Sequence, residues 1–291
     1  MTEPRVGLLG ATSLVGASLL SLLAEKGRRV VAFSRQADAS APGKAGWHHI
    51  GAKTLPRSGE EEIPHWICVA PIWVLPLYFD LMLASGARHV VALSSTSRYT
   101  KQESSDPAER AVADQLIEGE AKLQDWAECN GIDWVVLRPT LIYGQGRDRN
   151  VSEIASFIRR FGFFPVFGPA QGLRQPVHAD DVAGACVAAL DRPLAANRAY
   201  NISGGETLSY REMVGRIFAA LGLRPRIVKV PLAVLAVATP MLRLFPRYRH
   251  WTAAMAGRMS RDLVFGHEDA TRDLGYAPRP FRPEPEDLSQ R

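Results

Sequence analysis

Five short apolar runs, separated by stretches with helical spacing, constrain this chain more than any other feature. They are residues 5–9 (RVGLL), 29–33 (RVVAF), 66–70 (WICVA), 89–93 (HVVAL) and 134–137 (WVVL). Helical spacing marks residues 14–23, 75–84 and 108–129. Most of the runs are rich in β-branched residues and show no polar alternation, the pattern of strands buried on both faces. Strands of that kind alternating with helices build βαβ units and a parallel sheet. Residues 47–50 are a further candidate strand inside the weakly patterned stretch 36–63. The expected fold is therefore α/β: a doubly wound parallel sheet of Rossmann type over residues 1–145, whose last strands interleave with a second lobe. After about Gly144 the segments become longer and more helical, which predicts that this smaller C-terminal α/β lobe covers residues 146–291.

With 291 residues, the chain buries a core without help from disulfides or metals. Glycine and proline together make 24 + 20 = 44 residues, too few for a disordered or collagen-like chain. The net charge of +5 is too mild to imply nucleic acid. Cys68, Cys129 and Cys186 lie far apart without a CxxC pair, which suits a reducing compartment. The N-terminal MTEPRVGLLG carries an acid and a proline before its apolar run, unlike a signal peptide. No apolar stretch reaches the roughly 18–20 residues of a membrane span. A cytoplasmic protein is expected.

Residues 10–16 (GATSLVG) stand directly between the first run and the first helical stretch. Gly10 suits a tight turn and Gly16 close packing of helix on strand. The amides of Thr12, Ser13, Leu14 and Val15 then open the helix toward an anionic diphosphate. A plain strand–helix turn would use the same glycines. The second run ends in Ser34-Arg35. A dinucleotide site selective for NAD places an acid here, whereas an arginine suits a ribose 2′-phosphate. Arg35 thus points to NADP, with NAD possible; a solvated loop arginine is the alternative.

With LSSTSRY (93–99), LRPTLIYG (137–144), LRQPVHADDVA (173–183) and AYNISGGETLSYREM (199–213), the chain resembles the NAD-dependent epimerase/dehydratase family of short-chain dehydrogenases/reductases. The resemblance implies a cofactor lying against Val69, Ala70, Pro71, Ser94, Pro139, Leu141 and Ile142. It implies that Pro139 ends its strand, and that Ser95 hydrogen-bonds the substrate. The family's acid/base pair is a tyrosine four residues before a lysine on the next helix, and no lysine of this chain has a tyrosine at that spacing. Lys122 stands on the relevant helix as the lysine candidate, but Glu118 precedes it by four, which also reads as a solvated ion pair. Tyr99 is the nearest phenol, either the acid or a packing residue of the loop. Ser13 replaces the family's middle loop glycine.

On the substrate side the resemblance places Arg174 where an arginine pairs with a substrate diphosphate, and His178 beside it. Asp181 is expected to cap the following helix, and Tyr143 to pack. No histidine spacing suggests a metal. Residues 224–261 carry eight Lys/Arg and no acid, with an uncharged apolar stretch at 230–242. A lid, an interfacial helix contacting anionic lipid, or a core helix all fit. The sequence thus implies hydride transfer between a nicotinamide and a small organic or nucleotide-sugar substrate. The alternative is a catalytically silent NADP-binding redox sensor or assembly protein.

Overall fold

Side-chain alternation along each strand explains why the apolar runs form a sheet covered on both faces. A computed structural model describes residues 4–34, 46–49, 62–231, 257 and 259–288. Strands β1 (Val6–Leu9), β2 (Val30–Ser34), β3 (Gly46–His49), β4 (His65–Cys68), β5 (His89–Leu93) and β6 (Asp133–Pro139) pair in parallel in the order β6-β5-β4-β1-β2-β3. Val30 and Ala32 enter one core and Val31 and Phe33 the other, and the same alternation runs through β5 and β6. Helix α1 (Leu14–Glu25) covers the first face; α2 (Phe79–Ala84) and, after the short α3 (Ser97–Thr100), α4 (Pro107–Asn130) cover the second. The doubly wound parallel α/β fold is present. The helix expected over 75–84 is instead a 3₁₀ segment, Ile72–Tyr78, followed by α2. Pro76 has no N–H to donate and breaks the α pattern.

The second half returns to this sheet. Strand β7 (Ile142–Tyr143), helix α5 (Val151–Phe161) and strands β8 (Phe164–Phe167), β9 (Leu173–Arg174) and β10 (Val177–His178) lead into α6 (Ala179–Asp191). Helix α6 packs on α1, and β11 (Arg198–Ile202) adds to the sheet beside β6. Position 145 is therefore no boundary of the sheet, because the apolar faces of α6 and β11 complete the first core. β6 also runs through Pro139, which pairs in register with Ile202. Pro139 lacks the donor, but its carbonyl still accepts the Thr96 amide at 3.1 Å.

Strand β12 (Leu208–Ser209), helix α7 (Tyr210–Ala220), strand β13 (Ile227–Val230) and the short helices α8 (Glu268–Leu274) and α9 (Pro285–Leu288) complete the chain order. A second lobe core joins α5, β8, α7, Phe281 and Leu288. Of the basic segment 224–261, the described part is mainly β13, paired in parallel with β8. The apolar stretch lies almost wholly outside the described residues. Among those residues no helix is long and apolar enough to cross a membrane. Cys68 and Cys186 are buried free thiols, and burial pushes Cys68 up to about 12.

Candidate active site

The loop between β1 and α1 has the geometry its glycines require. Gly10 has φ +86°, and a Cβ there would lie 2.6 Å from the Ala70 amide nitrogen. A Cβ on Gly16 would run into the Gly10 carbonyl oxygen and lie 2.7 Å from the Ala11 carbonyl carbon. Ser13 is the N-cap of α1, its hydroxyl accepting the Gly16 amide at 3.0 Å. That accounts for serine at the expected glycine: the hydroxyl satisfies one free amide at the helix start. The close-packed loop and the open first turn of α1 fit a dinucleotide diphosphate.

A cleft of about 640 Å³ opens at the carboxyl ends of β1, β4, β5 and β6. Strand order reverses between β1 and β4, the place where open α/β sheets bind ligands. Ser13, Leu14 and Val15 line it at one end, with Val69, Ala70 and Pro71 from the end of β4. Ser94, Ser95, Pro139, Leu141 and Ile142 form its far wall. Gly10 and Thr12 sit in the turn, and Ser34 is buried at the end of β2; none of these three reaches the cleft lining. Arg35 lies outside the described residues. Helix α4 offers the cleft Val112 and Leu116, four residues apart and both apolar. Leu263 and Phe265, from the C-terminal segment, close the opposite side.

A model of the NAD dependent epimerase/dehydratase family matches residues 78–203. The match covers less than half of the chain, which is similar to that family over this segment. An uncharacterized protein of Sinorhizobium fredii is 28% identical over 211 residues, covering 69% of this chain and 52% of the relative. Mouse short-chain dehydrogenase/reductase family 42E member 1 is 29% identical over 159 residues, covering 50% of this chain and 40% of its own. The chain thus spans about half the length or less of these relatives. The structure of UDP-glucose 4-epimerase from Thermotoga maritima, with UDP-glucose, shares the fold at TM-score 0.69 and 16% identity, covering 98% of this chain and 96% of that one.

Against the family pattern, several expected residues lie elsewhere. Lys122 is exposed on the outer face of α4 and pairs with Glu118 at 2.7 Å, so it does not line the cleft. Tyr99 also lies off the cleft lining. Its ring stacks on Phe265, and its hydroxyl accepts Arg138 Nη1 at 2.6 Å. Ser95 does line the cleft, with its hydroxyl accepting the Ser97 amide at 3.1 Å. One turn of α4 beyond Leu116 stands Glu120, 6% exposed, a residue that no motif or spacing singles out. Its carboxylate binds Arg98, Arg138 (Nη2 at 2.6 Å) and the Ser94 hydroxyl. Burial pulls the arginine pKa values down, which makes the shared carboxylate the more necessary.

Arg174 lines the cleft but is 4% exposed. Its Nη1 donates to the carbonyls of Leu173 and Arg261, and its guanidinium lies over the Tyr210 ring. His178 is not at the cleft. It is the N-cap residue of α6, where Asp181 was expected, and Asp181 instead binds Arg279 at 2.9 Å. Tyr143 is buried against His178 and Phe281. Among the described residues no cluster could hold a metal ion.

His178 Nε2 donates to Asp287 Oδ1 at 3.1 Å, and Nδ1 lies 3.3 Å from Asp180 Oδ2. Burial opposes the charged ring, but the hydrogen bonds to Asp180 and Asp287 outweigh it and hold His178 up to about 9. A raised histidine stabilises the fold fully below its unfolded pKa of about 6.5 and loses that contribution as pH rises through about 9. The loss is expected to be on the order of 1–3 kcal/mol. Melting temperatures of wild type and His178→Asn from neutral to alkaline pH check this; parallel curves would remove His178 from the pH response.

Proposed function

We propose that this chain binds a nicotinamide dinucleotide along the cleft and transfers hydride between it and a small organic substrate, with NADP preferred to NAD. One observation carries the reading: the glycine loop and the ends of β4, β5 and β6 line a single cleft at the switch point of the sheet. The bound nicotinamide would supply the hydride chemistry. The amides at the start of α1 hold the diphosphate, and Ser95 hydrogen-bonds the reacting oxygen. Val112 and Leu116 carry no proton, so proton exchange is left to solvent reaching the open cleft. A positioned acid is worth about 10²–10⁴-fold, and turnover is accordingly slow. The apolar wall of Leu116, Leu141, Leu263 and Phe265 favours an apolar substrate body over a nucleotide sugar. In the nucleotide-sugar version, Arg174 is the residue that meets the anionic group.

The same Val112–Leu116 pair favours a second reading, a cofactor-bound protein that is catalytically silent and acts as a redox sensor or assembly protein. Calorimetry with NADPH and NADH, followed by single-turnover absorbance with a carbonyl panel, separates the two. NADPH is expected to bind about tenfold tighter or better, from a charge-assisted contact worth roughly 1.5–3 kcal/mol, and Arg35→Ala to erase the difference. Slow oxidation that Ser95→Ala abolishes supports the enzyme; binding without oxidation supports the sensor. Equal affinities in the wild type would overturn the NADP preference.

A further inference from the structure

The glycine loop contains no cation: residues 10–16 read GATSLVG. A dinucleotide diphosphate brings two negative charges, and helix amides meet them with partial charges only. The structure supplies a full charge from elsewhere in the chain. The segment after β7 turns sharply, with positive φ at Gly144, Gln145 and Gly146 in succession. Asp287 pins that turn, its carboxylate accepting the Gln145 amide at 3.2 Å and its carbonyl the Gly146 amide at 2.9 Å. Gln145 Nε2 donates to Ser18 on α1 at 2.9 Å. The turn is thereby strapped across the start of α1, and the next residue, Arg147, reaches the loop itself. Its Nη2 donates to the Thr12 carbonyl at 2.6 Å, and the exposed side chain lines the same cleft as Ser13, Leu14 and Val15.

The neighbouring acid does not compete for this guanidinium. Asp148 is occupied at the start of α5, accepting the amides of Asn150 at 2.8 Å and Ser152 at 3.1 Å and the Ser152 hydroxyl at 2.6 Å. Arg149 also lines the cleft, but no contact ties it to the loop among the described residues. We propose that Arg147 is a diphosphate clamp, its guanidinium turning from the Thr12 carbonyl onto the cofactor's diphosphate. The assignment rests on the dinucleotide reading of the cleft. It makes the strap from Gly144 to Asn150 part of the cofactor site and fixes Arg147 as a positioning residue for both nicotinamide dinucleotides.

The test is fluorescence titration of this chain with NADH and with NADPH, at low and high salt. Wild type, Arg147→Ala, Arg147→Lys and Lys122→Ala are compared, with thermal melting as the folding check. Arg147→Ala is expected to bind both dinucleotides about tenfold more weakly, with a flatter salt dependence. Arg147→Lys recovers part of the affinity, because it restores charge without the planar fork. Lys122→Ala stays within about twofold of wild type, since that lysine is exposed on the outer face of α4, pairs with Glu118 and does not line the cleft. Wild-type binding unchanged in Arg147→Ala would overturn the clamp while leaving the dinucleotide reading intact. A loss confined to NADPH would move Arg147 to the 2′-phosphate and overturn the diphosphate assignment. Wild type that binds neither dinucleotide would overturn the cofactor reading and the clamp together.

Discussion

Gly16→Val is expected to abolish dinucleotide binding and to destabilise the fold by about 3 kcal/mol, the upper range for overpacking a well-filled site. The Cβ alone would collide with the Gly10 carbonyl and the Ala11 peptide, which are backbone atoms that cannot rotate away. The two γ-methyl groups of valine add to this. Relief requires α1 to move off β1, and that movement separates the first-turn amides from the end of β4. Gly10→Ala acts on the same joint by another route. Its φ of +86° is costly for any residue with a Cβ, and the added atom meets Ala70. Gly215→Ala in α7 is the control, since its Cβ would meet nothing within 4 Å. That change should stabilise the helix by roughly 0.5–1 kcal/mol. Urea unfolding of the three variants, with NADPH titration, gives the answer. A Gly16→Val protein with native stability and affinity would show that the loop is not close-packed.

Much of this site was legible because the residues that form it are close in sequence or repeat a period. The runs in β1, β2, β4, β5 and β6 are apolar on both faces, and only a doubly covered parallel sheet buries them. The loop glycines stand between a strand and a helix, so their spacing alone placed the cleft at one end of the sheet. What could not be read was long-range. Glu120 looks like any surface acid in a helix of mixed charge, and only the fold brings Arg98 and Arg138 to it. The Glu118–Lys122 pair was readable as a solvated i,i+4 bridge, and it is one. Arg147 lies 135 residues from its contact at Thr12, and no local pattern marks that. His178 drew attention as a site residue through its motif, yet its partner Asp287 is 109 residues away. A helix cap and a ligand-binding histidine are identical in sequence; the partner decides.

Removing the Glu120 carboxylate tests what this chain has built behind the wall where the family pattern would place a tyrosine–lysine pair. Glu120→Leu fits the helix but leaves Arg98 and Arg138 facing each other with their shared counter-ion gone. Side-chain exposures of 21% and 18% give the two arginines only partial access to water. Breaking such a pair by deleting one partner costs about 3–5 kcal/mol when buried, and the partial exposure brings the expectation to about 2–4 kcal/mol. Glu120→Gln should cost less, because its amide oxygen still accepts from one arginine. Lys122→Ala, on the exposed face two residues along, should change stability by under about 0.5 kcal/mol. The consequence reaches the cleft through Ser94, whose hydroxyl donates to Glu120, and through Tyr99, which leans on Arg138 and Phe265. Dinucleotide affinity should therefore fall in Glu120→Leu even where the protein remains folded. Chemical denaturation and NADPH titration of the three variants decide it: a Glu120→Leu protein within about 1 kcal/mol of wild type would show that the two arginines find water instead, and that the carboxylate does not hold this wall of the cleft.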